Sequence, residues 1–165
     1  MTDKTSKLQQ EVDRLWEACA TLVMATTRGE SEPEASLAPF WRGTPHAYVY
    51  VSELAAHTRN LLQFGHAGVM LLAPDSERSN AFARRRLSFR ATAVGVARDE
   101  PVWQQALDGL ETRFGATVNL IRPLQDFHLI RLTPVAGTYV RGFAQAYPVF
   151  GPELLVHDTG TESSP

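Results

Sequence analysis

Thiol chemistry is almost missing from this chain: Cys19 is its one cysteine among 165 residues, so no internal disulfide can form. That usage predicts a reducing, cytoplasmic setting, and the place of Cys19 on the apolar side of a predicted helix points to a buried thiol rather than a nucleophile. Long hydrophobic runs are missing too. No stretch approaches the roughly 20 apolar residues that span a bilayer, and Met1-Thr2-Asp3-Lys4-Thr5 lacks the apolar core of a signal peptide, so a soluble chain with no membrane partner is expected. Neither sign of charge dominates, with 16 Lys and Arg against 18 Asp and Glu and a net charge of -2, which argues against nucleic acid as a partner. There is no glycine-rich phosphate loop, no CxxC pair, no HExxH and no GxSxG, and hydrolase chemistry therefore has no motif to rest on.

What is present is enough apolar sequence for one core, 44% hydrophobic residues against 21% charged, read as a single domain over 1–150 with a tail over 151–165. Ser6 and Gln9 have capping-box spacing, and Leu8, Val12, Leu15, Trp16 and Cys19 recur at helical spacing, predicting an amphipathic helix over 6–19. Short β-favouring runs follow at 21–28, 34–42 and 46–52, separated by turn residues around Gly29 and Gly43-Thr44-Pro45. A helix over 58–64 with Thr58 as N-cap ends at Gly65, and strand character resumes over 68–73. After a polar loop over 74–80, a strand is expected over 86–98, then a helix opened by Pro101, with Trp103, Ala106, Leu107, Leu110 and Phe114 on its apolar face. A final pair of strands is expected over 127–133 and 137–141. The tail carries one apolar patch, Leu154-Leu155-Val156, before a Gly/Ser/Thr/Glu-rich end predicted to be disordered unless a ligand holds it.

Three stretches stand out. Ser52-Glu53-Leu54-Ala55-Ala56-His57-Thr58-Arg59-Asn60-Leu61 ends a strand by aiming polar groups at a helix start, a layout that suits an anion and equally an ordinary capped helix. Asn80-Ala81-Phe82-Ala83-Arg84-Arg85-Arg86-Leu87-Ser88-Phe89 carries the densest positive charge in the chain, and Val140-Arg141-Gly142-Phe143-Ala144-Gln145-Ala146-Tyr147 closes the set. Together, in this order, they resemble the haem-utilisation (HugZ/HutZ-like) branch of the pyridoxamine 5'-phosphate oxidase-like, FMN-binding split barrels, over about residues 15 to 150. The resemblance implies a mainly β (α+β) fold, a six-stranded antiparallel Greek-key split β-barrel with flanking helices, assembled as a homodimer. A count of aromatics at Phe40, Trp41, Tyr48, Tyr50, Trp103 and Tyr147 supports a hydrophobic dimer face.

The same resemblance assigns roles. Haem needs an apolar slot, cations for two propionates and an axial ligand, commonly a neutral histidine. Five histidines are present. His46 and His66 lie beside turns and are expected to be solvated, and His128 to be structural, whereas His157, the only histidine beyond the last core strand, takes the axial position by resemblance. Asp126 corresponds to a carboxylate that tunes that histidine across the dimer interface, and Arg86 to an arginine beside the haem. Strand alternation predicts Arg84 and Arg86 on one side and Arg85 on the other. Ser52, His57, Thr58, Arg59 and Asn60 form the expected cofactor-positioning group. Haem-degrading oxygenase activity with an external electron donor is thus the first expectation. An FMN-dependent oxidoreductase holding flavin near Ser52, Thr58 and Asn60 is the alternative, although the run Ala35-Ser36-Leu37-Ala38 lacks the phosphate-binding cation usual in flavin relatives. A non-enzymatic partner-binding protein is the third, because the pattern from Ser52 to Leu61 also resembles split barrels of that kind.

Overall fold

The structure, a computed structural model, describes residues 3–29, 32–74 and 80–157. Helix α1 (Asp3–Ala18) opens the chain and buries Leu8, Val12, Leu15 and Trp16. It begins three residues earlier than the capping-box spacing predicts, and Cys19 follows its end, buried, with its thiol donating to the Leu72 carbonyl at 3.3 Å. Strands β1 (Thr21–Arg28) and β2 (Glu32–Pro39) form a hairpin, and β3 (Trp41–Gly43) and β4 (His46–Ser52) form another. The single run expected over 34–42 is broken because Phe40 turns fully inward between β2 and β3.

Helix α2 (Ala56–Phe64) comes next, then β5 (His66–Leu72), a one-turn 3-10 helix at Ala81–Ala83, and β6 (Arg86–Val96). Of the polar loop expected over 74–80, residues 75–79 lie outside the described residues. Pro101 stands in the first turn of α3 (Pro101–Phe114), where its missing N–H costs nothing, and α4 (Thr117–Ile121) follows. The two final strands expected are one, β7 (Phe127–Gly142), continuous through Pro134 because a register shift opposite Arg90 and Ala91 accommodates the missing donor. Strands β8 (Gln145–Phe150) and β9 (Leu155–Val156) complete the described chain.

Among the described residues all nine strands belong to one antiparallel sheet, ordered β2-β1-β5-β6-β7-β4-β3, with β8 on β7 and β9 on β8. The long β7 pairs with β6 along its length, with β4 over its first half and with β8 over its second, which bends the sheet around the core. This is the open split-barrel arrangement, with more strands than the six expected. Gly137 is required at the bend: a Cβ there would lie 2.0 Å from the Ser88 carbonyl oxygen and 2.6 Å from Phe89 Cα.

The main core joins α1 to the inner sheet face, where Trp16 packs against Phe40 and Phe89 with ring centroids 5.6 Å apart in both pairs. Each such side chain contributes about 1.5–3 kcal/mol by leaving water. A second core lies under α3 and α4, built from Tyr48, Tyr50, Val96, Trp103, Leu107 and Leu110. Tyr50 stacks edge-on against Trp103 at 5.7 Å and its hydroxyl donates to the Arg122 carbonyl at 3.1 Å. The two cores correct the aromatic count offered for a dimer face: Phe40 and Tyr147 are buried in the first and Tyr48, Tyr50 and Trp103 in the second, against which Trp41 packs partly buried. No helix among the described residues is long and apolar enough to cross a membrane.

Candidate functional site

The candidate residues divide between two ends of the sheet. At the first, β4 runs into α2 and the start of β7 lies alongside. The helix begins after Ala55, whose side chain makes no cap, so Thr58 is not the N-cap; it sits inside the first turn, fully buried, with Oγ1 donating to the Ser52 carbonyl at 2.6 Å. Tertiary burial outweighs capping preference here, because that bond ties α2 back onto β4. Gly65 closes the helix at φ 68° with its N–H on the Leu61 carbonyl, as the sequence predicts. Asn60 is also buried, its amide donating to Thr26 Oγ1 at 3.0 Å and to Glu34 Oε2 at 2.7 Å. The Thr58 hydroxyl and the Asn60 amide N–H groups are therefore engaged inside the protein.

Ser52 Oγ donates to Asp126 Oδ2 at 3.0 Å and accepts from the Leu54 N–H at 3.2 Å, and the Glu53 N–H donates to the Asp126 carbonyl at 2.8 Å. The Asp126 carboxylate is thus held half-exposed at the mouth of β7. Beside it His128 Nε2 lies 2.6 Å from Glu53 Oε1, an exposed pair that sequence reasoning missed because the two are 75 residues apart. His57 is half-buried, and burial lowers its imidazole below the ordinary value, opposed by Glu34. Arg59 is exposed, its guanidinium reaching only the Glu53 carbonyl at 3.5 Å.

At the second end, alternation along β6 and β7 sorts the side chains cleanly. Leu87 and Tyr139 face the core, so Arg86, Ser88 and Arg90 on β6 and Ala136, Thr138 and Val140 on β7 face outward. On that outer face lies a concavity of about 540 Å³ lined by Ala25, Gly68, Ser88, Arg90, Ala136 and Thr138, among others. Arg86 is half-buried on the same face and donates to the Arg84 carbonyl at 3.1 Å. Arg84 turns its Nε to the Ala73 carbonyl at 2.9 Å, and Arg85 lines a cavity on the α1 side, so Arg85 and Arg86 take opposite faces as alternation predicts.

Leu154 and Val156 are buried, so the apolar patch of the tail is ordered by packing on β8 and α1, with the Val156 N–H on Gln9 Oε1 at 2.9 Å. The expected disorder concerns 158–165, which lie outside the described residues. His157 is exposed, its N–H on the Pro148 carbonyl at 2.9 Å and its ring edge-on to Phe150 at 5.0 Å. Phe150 pairs with Ala136, which lines the concavity. His157 and Arg86 are thus brought to the same half of the sheet. Asp126 is not: ten residues separate it from Ala136, about 33 Å along the chain at about 3.3 Å per residue.

His46 departs from expectation. It is half-buried, with Nδ1 3.0 Å from Thr133 Oγ1, and burial, followed by Arg131, lowers its pKa. His66 is exposed as expected.

Comparison with known proteins places this geometry. The family model described as pyridoxamine 5'-phosphate oxidase matches residues 8–141. The haem oxygenase HutZ of Vibrio cholerae is 36% identical over 149 residues, covering 90% of this chain and 85% of that protein. A crystal structure of Vibrio cholerae HutZ, described there as a haem storage protein, superposes with a TM-score of 0.71 at 31% identity, over 88% of this chain and 98% of that one. Campylobacter jejuni ChuZ superposes with a TM-score of 0.83 at 26% identity, over 97% of this chain and 66% of that one. The chain belongs to the pyridoxamine 5'-phosphate oxidase family of split barrels, in its HugZ/HutZ-like haem-utilisation branch.

Proposed function

We propose that this protein binds haem on the outer sheet face and opens the porphyrin oxidatively, as a homodimer supplied with electrons by an external donor. The observation that carries the reading is the shared placement of His157 and Arg86 on the half of the sheet whose outer face carries an apolar concavity of a size that suits a small-molecule ligand. An exposed imidazole braced on Phe150 is available to iron, and outward guanidiniums at Arg86 and Arg90 are available to propionates. Haem, as the substrate, supplies the iron at which oxygen is activated once electrons arrive; the protein supplies orientation and charge.

Each residue then has a separate task. His157 holds the substrate from one side and Arg86 neutralises a carboxylate at its edge. Asp126, fixed by Ser52 and the strand mouth, accepts the remaining imidazole N–H of the partner subunit's axial histidine and strengthens it as a ligand. His57 and Arg59 edge the β4 end of the site. FMN is less well served, since Ser52, Thr58 and Asn60 already have their side chains hydrogen-bonded within the protein.

The test is an absorbance titration of wild type and His157→Ala with hemin, followed by addition of a reductant in air. A saturable Soret band at one haem per subunit, altered in the variant and lost on reduction in air, is expected. A Soret response identical in the two proteins removes His157 as ligand, and stable haem under reducing conditions leaves a storage role in place of degradation.

A further inference from the structure

A second cavity lies on the opposite side of the sheet, between α1 and the inner edge of β5, β6 and β7. It measures about 380 Å³, within the roughly 300–1,000 Å³ typical of small-molecule sites, and its walls include Glu11, Arg14, Ala73, Arg85 and Tyr139. Its charges are unbalanced. Glu11 is neutralised by Arg141, with Arg141 Nη2 3.1 Å from Glu11 Oε1, and its other oxygen accepts from the Tyr139 hydroxyl at 2.9 Å. The guanidiniums of Arg14 and Arg85 make no hydrogen bond or ion pair with the described residues, and add two positive charges to the cavity wall of a chain whose net charge is -2. Tyr139 remains an uncharged donor at neutral pH, because burial and Glu11 push its phenol up to about 12.

We infer that this α1-side cavity is a second ligand site, for a small phosphate monoester whose dianion is clamped between Arg14 and Arg85. Planar guanidiniums present paired donors that match phosphate oxygens, and two of them match the charge of a monoester. The volume exceeds that of a phosphate alone, and the Glu11 carboxylate at the wall offers acceptors to hydroxyl groups on the organic part. Alternation separates this site from the outer concavity: Arg85 and Tyr139 face α1, and Arg86 and Thr138 face away. The inference is therefore independent of the haem reading.

Isothermal titration of the full chain with inorganic phosphate and with glycerol 3-phosphate, at matched ionic strength in chloride, tests it. Saturable binding is expected, tighter for glycerol 3-phosphate and about tenfold weaker in the Arg14→Gln/Arg85→Gln variant. Arg28→Gln, which changes an exposed arginine on β1, should leave it unchanged. Both cavity guanidiniums lack bonding partners among the described residues, so the double variant should melt like wild type without phosphate. Equal binding by the double variant and wild type overturns the clamp. Equal affinity for the two phosphates overturns an organic ligand. Displacement of bound hemin by glycerol 3-phosphate overturns a separate site, because the anion would then occupy the haem face.

Discussion

At the scale of single residues, two histidines carry a pH dependence with a definite sign. His57 and His46 are both half-buried, and burial is the main cause lowering each below the ordinary 6.5. Well above that value both are neutral in the folded and unfolded chain, and they contribute no slope. As pH falls from 6.5 through their lowered values the unfolded chain takes up protons that the folded chain does not, so stability falls with acidification. Urea unfolding midpoints followed through this range should decline for wild type, and less steeply for His46→Gln/His57→Gln; parallel profiles would assign the decline to carboxylates instead. The sequence offers five histidines, and local position alone does not show how deeply each is buried. His46 looked solvated beside Gly43-Thr44-Pro45, but the β4 to β7 pairing brings it to Thr133.

At the scale of elements, α2 shows how a helix can be legible while its chemistry is not. Its Gly65 stop is a local signal and stands where the sequence puts it, whereas the helix starts at Ala56, two residues before the expected 58. The roles of Thr58 and Asn60 were not local, because their partners at Ser52, Thr26 and Glu34 come from three strands. Thr58→Val keeps the shape of the side chain but removes its hydroxyl, leaving the Ser52 carbonyl without that donor. A loss of about 1–2 kcal/mol in urea unfolding is expected, with Thr58→Ser restoring most of it; an unchanged midpoint would mean that water replaces the bond. Short elements escaped sequence reading for a related reason. The five-residue α4 and two-residue β9 have too few positions to display a period, and β8 carries Pro148, which reads against a strand although the residue is paired with Thr138 on β7.

At the scale of the molecule, the separation of Asp126 from His157 along β7 has a direct consequence. A site using both must draw them from different subunits, as the proposed homodimer does. Sedimentation velocity should show a two-chain species, and mixing Asp126→Asn with His157→Ala subunits should restore one intact site per mixed dimer, read as recovery of the wild-type Soret band. No recovery on mixing would place the two residues in separate roles. The sequence by itself determined the family, strands β1 and β4 and the helix opened by Pro101, because period, turn residues and motif order are local properties of the chain. Only the tertiary structure decided which face each arginine of the 84–86 run takes, that Thr58 and Asn60 turn inward, and that the tail up to His157 is ordered by Leu154 and Val156. These depend on which strands become neighbours, and a side chain's hydrogen-bond partner or burial is settled by residues tens of positions away that no local pattern records.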